Sequence, residues 1–153
     1  MSEGTSRREF VIGALAGGMV ATFSAGAARA TPDEMRMAMR KVVGNATVRK
    51  GRIELDVPPL VENGNTVSLV ITVDSPMTAA DYVKSIHVFN EKNPQPNVIG
   101  IHLGPRAGKA KIATRFRLAD TQMITAIAEM SDGSFWSASA ELIVTMAACV
   151  EGL

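Results

Sequence analysis

Apolar residues recur along this chain first with a helical and then with an alternating period. Thr31-Pro32-Asp33-Glu34 reads as a helix start: Thr31 can cap, Pro32 suits the first helical position, and Glu34 can complete a capping box. Strong helix formers fill residues 35–43, and Gly44 supplies the stop. Beyond Gly44 the period changes. Ile53, Leu55 and Val57 alternate with Arg52, Glu54 and Asp56, the pattern of a half-buried strand, which Pro58-Pro59 ends. Asn63-Gly64-Asn65 is a turn. Residues 66–73 form a second strand, with Val67, Leu69, Ile71 and Val73 on one face, broken by Asp74-Ser75-Pro76. Residues 83–89 and 98–103 are further strands around the proline loop Asn93-Pro94-Gln95-Pro96-Asn97, and residues 104–108 make another turn. Residues 109–118 give the clearest strand. Ala110, Ile112, Thr114, Phe116 and Leu118 point one way, and Lys109, Lys111, Arg115 and Arg117 the other. Residues 122–130 and 134–146 then pair as a hairpin around Asp132-Gly133. About seven short strands with regular turns predict a mainly β, antiparallel sandwich with one short N-terminal helix.

The first thirty residues read as an address. Arg7 and Arg8 precede an uncharged, Ala- and Gly-rich stretch over residues 11–28, and Ala28-Arg29-Ala30 fits a small-residue cleavage site, with cleavage expected after Ala30. The arginine pair marks a twin-arginine export signal and hence a periplasmic destination. The alternative is an N-terminal anchor that stays attached. The stretch is too short and glycine-rich to read well as a membrane span, and no membrane association is expected after cleavage. Net charge is +1 over 153 residues, and losing residues 1–30 removes three arginines and two glutamates. The remainder is close to neutral, which argues against nucleic-acid binding through a basic field.

Candidate chemistry is sparse. No glycine-rich phosphate loop, CxxC, HExxH or G-x-S-x-G motif occurs. His87 and His102 lie in predicted strands, either as structural histidines or, with a carboxylate, as an acid–base couple or metal ligands. Two His, one Cys and several Met leave a blue-copper site open as an alternative, although no His or Met follows the cysteine to close a ligand loop. The basic row Lys109, Lys111, Arg115 and Arg117 is either a solvated sheet face or a docking surface for an acidic partner. The single cysteine, Cys149, cannot form an internal disulfide, so in an oxidising compartment it pairs between molecules or reacts. A buried, inert thiol is the ordinary alternative. Its place near the C-terminus favours exposure. Ala147 and Ala148 precede it, and three residues span at most about 10 Å. A thiol on such a tether suits a carrier better than an enzyme nucleophile, which is held rigidly.

Several blocks in order resemble the sulfur-oxidation SoxY family: Val57-Pro58-Pro59-Leu60-Val61-Glu62-Asn63-Gly64, Val73-Asp74-Ser75-Pro76-Met77, Ile86-His87-Val88-Phe89-Asn90-Glu91-Lys92-Asn93-Pro94, Thr114-Arg115-Phe116-Arg117-Leu118-Ala119 and Ala128-Glu129-Met130-Ser131-Asp132-Gly133. The resemblance implies an Ig-like β-sandwich paired with a SoxZ-like subunit. It also implies a thiol on a C-terminal arm that carries thiosulfate-derived sulfur, with Cys149 in that position. The implied partners are a c-type cytochrome that attaches the substrate oxidatively, a hydrolase that releases sulfate, and a molybdenum–haem sulfur dehydrogenase. The chain itself is then a covalent carrier, not an enzyme, with no cofactor. The expected organisation is residues 1–30 signal, 31–44 helix, 45–146 sandwich and 147–153 arm. The tail departs from the family pattern, in which glycine pairs flank the cysteine. Here Ala147-Ala148-Cys149-Val150-Glu151-Gly152 is stiffer. Glu151 repels an anionic adduct by roughly half a kcal/mol at about 7 Å in water. A subunit that only scaffolds a Sox-like complex is the corresponding alternative.

Overall fold

The structure is a computed structural model and describes residues 30–148. The sequence-predicted helix forms as α1 (Pro32–Val43), and its capping box is complete: the Thr31 hydroxyl accepts the Glu34 amide at 3.3 Å, and the Glu34 carboxylate accepts the Thr31 amide at 2.8 Å. Gly44 closes it with φ +60. Asp33 and Glu34 in the first turn and Arg40 and Lys41 in the last agree with the helix dipole. Thr31→Ala is therefore expected to lower stability by about 1 kcal/mol, as loss of an N-cap usually does; urea unfolding checks it.

Nine strands follow among the described residues: β1 (Val48–Lys50), β2 (Ile53–Asp56), β3 (Leu60–Val61), β4 (Val67–Val73), β5 (Val83–Asn90), β6 (Asn97–His102), β7 (Lys111–Phe116), β8 (Gln122–Met130) and β9 (Phe135–Val144). One sheet has the order β1-β9-β8-β5-β6, with β3 also paired to β9; the other is β2-β4-β7. Between them lies a core of Val67, Leu69, Ile71 and Val73 from β4 facing Ile86, Val88, Ile124, Ala126, Ala128 and Leu142. The outer face of the larger sheet is partly covered by α1, where Met35 packs with Phe89, Ile127 and Phe135. That cover explains why β5 buries residues on both faces instead of alternating. Among the described residues no helix covers the outer face of β4 and β7, and there the alternation is clean.

The mainly β sandwich is the architecture expected from the alternation. Two strands exceed that expectation. Both β1 and β3 pair with β9, and both pairings are parallel. Pro58-Pro59 interrupts the chain without ending sheet structure. Pro59 needs no donor there, and its carbonyl accepts the Ile143 amide at 3.0 Å. Within the expected run 134–146 there is one strand in unbroken register with β8. Within the turn 104–108 lies a short 3₁₀ segment, Pro105–Ala107. No helix among the described residues is long and apolar enough to cross a membrane.

Candidate functional site

The site is built where β9 runs out. Val144 donates its amide to the Thr121 hydroxyl at 2.9 Å, and Thr145 donates its amide to the Val61 carbonyl at 2.9 Å. The Thr145 hydroxyl reaches the Glu62 carbonyl at 3.3 Å. These bonds carry the chain past the end of the sheet ladder without leaving polar groups bare. Three main-chain bonds then follow in a closed set. Gly64 donates to the Met146 carbonyl at 2.8 Å, Leu118 donates to the Gly64 carbonyl at 2.8 Å, and Ala148 donates to the Leu118 carbonyl at 3.0 Å. Leu118 and Ala148 are both buried.

Gly64 is the close-packed point of this set. A Cβ there would lie 2.4 Å from the Leu118 oxygen, 2.8 Å from the Ala148 nitrogen and 3.1 Å from the Met146 oxygen. Its φ is not in the left-handed region, so the requirement for glycine is space alone. The sequence marks Gly64 only as a turn residue.

Asn93 fixes the other side. Its side-chain amide donates to the Arg117 carbonyl at 2.7 Å, and its oxygen accepts the Ala119 amide at 3.0 Å, so both neighbours of Leu118 are held. Gln122 donates to the same oxygen at 3.0 Å and accepts the Lys92 amide at 2.8 Å. The Asn93 carbonyl accepts the Ala30 amide at 2.9 Å. Asn93 thus ties the first described residue and the support of the last to one loop. Ala30 is itself buried, so cleavage directly after it would remove a bonded, packed residue.

The expected site residues fall as follows. Cys149, with Val150, Glu151 and Gly152 of the arm, lies outside the described residues, as do Arg7, Arg8 and the rest of the signal stretch through Arg29. Ala147 and Ala148 are described, and they alter the tether reading. Ala148 is bonded and buried instead of spanning free space. Lys109, Lys111, Arg115 and Arg117 are all exposed. Lys111 and Arg115 stand on β7, at one edge of the smaller sheet, opposite Thr72 and Ser68. At the root of the tail, Leu60 and Ile143 are register partners and stand 55% and 54% exposed; Met146 is 62% exposed.

His87 on β5 and His102 on β6 do come together, edge to face with ring centroids 6.0 Å apart, and His87 also stacks on Phe89 at 6.2 Å. The nearby Glu129 carboxylate is engaged by the Lys84 ammonium and the Ser85 hydroxyl. Among the described residues, no three His, Cys, Asp or Glu side chains gather as metal donors, and His87 Nδ1 has no hydrogen-bond partner among them. Burial, with the neighbouring His102 adding to it and Glu129 opposing, holds the His87 pKa below the usual histidine value. The unfolded chain then binds the proton more readily than the native one. This contribution to stability is complete above about pH 6.5 and is lost as pH falls towards the native pKa. The urea midpoint should accordingly drop between pH 7.5 and pH 5.5, and drop less in His87→Gln.

Comparison with known proteins now bears on this arrangement. The family model for sulfur oxidation protein SoxY matches residues 39–149, ending on the cysteine. The chain belongs to the SoxY family. Among solved structures, the sulfur carrier protein SoxY from Chlorobium limicola f thiosulfatophilum aligns with TM-score 0.63 and 23% identity, covering 74% of this chain and 98% of that one. A superoxide reductase (neelaredoxin) from Ignicoccus hospitalis aligns with TM-score 0.55 and 16% identity, over 74% of this chain and 92% of that one. A putative superoxide reductase from Thermotoga maritima aligns with TM-score 0.52 and 20% identity, over 64% and 87%. These likenesses establish the Ig-like fold that SoxY shares with the reductases. No curated protein sequence matches the chain significantly. SoxY membership gives a role in sulfur oxidation. It also makes the root of the tail, where Gly64, Leu118 and Ala148 meet, the part of the fold nearest in sequence to the only thiol.

Proposed function

We propose that this SoxY-family chain is an exported, periplasmic sulfur carrier that holds its cargo covalently on Cys149 and presents it to partner enzymes. One observation carries the reading. The chain's single thiol follows directly on a segment anchored by main-chain bonds to Gly64 and Leu118, at the end of the family match. The organisation proposed with it is residues 1–30 as twin-arginine signal, 31–44 as N-terminal helix, 45–146 as sandwich and 147–153 as carrier arm, with Ala148 of the arm bonded to Leu118 of the sandwich.

The chemistry needs only the thiol from this chain. The Cys149 thiolate and thiosulfate join through a new S–S bond, and two electrons leave to a c-type cytochrome partner. Water then cleaves the terminal S–S bond of the adduct in a hydrolase partner, releasing sulfate and two protons and leaving a persulfide on Cys149. A free thiol has a pKa of about 8.5, so most of it is protonated near neutrality, and the partner supplies the base or positive charge that raises the thiolate fraction. A SoxZ-like subunit completes the heterodimer. The exposed Leu60, Ile143 and Met146 at the tail root suit contact with a protein surface, and the row Lys109, Lys111, Arg115 and Arg117 suits an acidic one.

Intact mass of the exported protein, purified from thiosulfate-grown cells without reductant, tests this. A mass increase removed by reductant is the expected result. An unmodified thiol in cells actively oxidising thiosulfate would overturn it in favour of a scaffold subunit, the reading that Val150 and Glu151 beside the sulfur would then support.

A further inference from the structure

The outer face of the smaller sheet carries its charges in two columns of opposite sign. The register sets Glu54, Thr72 and Lys111 in one row across β2, β4 and β7, and Asp56, Val70 and Ala113 in the next; Ser68 and Arg115 form a third. Side chains alternate along each strand, and the intervening Leu55, Ile71 and Ile112 pack in the core. The outward column is therefore acidic on β2, neutral on β4 and basic on β7. Glu54, Asp56, Lys111 and Arg115 are exposed, and among the described residues none of them takes part in an ion pair. They do not reach one another, since β4 keeps the two columns about 10 Å apart. The middle of the face is small. Ser68, Val70 and Ala113, with Arg115, line a shallow depression of about 560 Å³.

We propose that this face binds the same face of a second copy, about a two-fold axis that lies between the copies and runs along β4. Rotation about that axis exchanges the two edges of the sheet and keeps every row at its own level. Glu54 of one copy then faces Lys111 of the other. Asp56 faces Ala113, between Lys111 and Arg115, and Val70 meets Val70 on the axis. Each charged contact occurs twice, as symmetry requires. A two-fold axis across the strands would instead lay acid on acid and base on base, so charge selects one face-to-face arrangement. The small central side chains let the sheets approach to the usual spacing of about 10 Å. Three short strands offer less than the roughly 800 Å² per partner of a standard interface, so the association is weak, reversible and sensitive to salt. It uses neither Cys149 nor the exposed apolar residues at the tail root, and it does not rest on the carrier reading.

Sedimentation of the full exported protein, kept reduced so that no disulfide joins two copies, tests this. The unaltered chain is expected to self-associate at about 0.05 M salt and to separate at about 0.5 M. Two double variants reverse one column each: Lys111→Glu with Arg115→Glu, and Glu54→Lys with Asp56→Lys. Each alone should lose self-association by at least tenfold, because every facing pair becomes like-charged. An equimolar mixture of the two should associate again, since acid then meets base at both edges. All four positions are exposed, where substitutions rarely disturb folding, and the salt dependence of the unaltered chain stands without any variant. A chain that stays monomeric at low salt, or a mixture that associates no more tightly than either variant alone, would overturn the proposal. Release of a co-purifying SoxZ-like subunit by the reversals, with self-association intact, would overturn it too and assign the face to that subunit.

Discussion

A Cys149→Ser chain is expected to carry no sulfur and to reduce thiosulfate-dependent electron transfer, in a system reconstituted with its partner enzymes, to the rate seen without the carrier. The loss should be complete because the sequence offers no second thiol. A serine hydroxyl stays protonated near neutrality, and it forms no S–S bond. The same variant should still fold, since the sandwich core and the main-chain bonds that hold Ala148 use no thiol. Electron transfer that persists at the wild-type rate in Cys149→Ser would remove the carrier function from this chain and leave only a scaffolding role.

Asn93→Ala is expected to be the most damaging single change outside the apolar core, at about 2–4 kcal/mol. Its side chain makes three bonds, to the Arg117 carbonyl, the Ala119 amide and the Gln122 side chain, and it is only 8% exposed. Truncation leaves the buried Ala119 amide and the Arg117 carbonyl without these partners, and each such group costs about 1–3 kcal/mol. A domain of this size has about 5–15 kcal/mol in total, so the shift in urea midpoint should be large. Asn93 also holds both neighbours of Leu118. The Ala148 amide should therefore lose protection in this variant by more than the global destabilisation accounts for. A cost below about 0.5 kcal/mol, the range of ordinary surface changes, would show that solvent replaces these bonds.

The parts of this fold that are legible in the sequence are those whose signals are local. Thr31, Pro32 and Glu34 announce α1 within four residues, and the alternation of Val67, Leu69, Ile71 and Val73 announces β4. Asp132-Gly133 announces the β8–β9 hairpin. Strands β1 and β3 are not legible because they are three and two residues long and gain their stability from β9, far along the chain. Pro58-Pro59 also reads as a terminator, although Pro59 supplies a carbonyl to Ile143. For the candidate site, Cys149 stands out by being alone, and the family blocks reinforce it. Gly64 does not stand out, since a glycine between two asparagines is sufficiently explained by a turn. Its crowding comes from Leu118, Met146 and Ala148, which the sequence gives no means of placing beside it.

The parallel pairing of β9 with β1 and β3 bears on the order in which the molecule assembles. The bond from Ser137 to Arg49 spans 88 residues and that from Thr145 to Val61 spans 84. Loops of that length close slowly, and contacts of such long sequence separation delay folding. The N-terminal strands must wait for the last strand of the domain before they find their partner. A chain that stops short of β9 leaves β1 and β3 as unpaired edges, while the β2–β4–β7 sheet can already exist. The anchor under Ala148 is then among the last parts to form, because it needs Gly64, Leu118 and the end of β9 together. A correctly seated Ala148 therefore reports that the whole sandwich is finished.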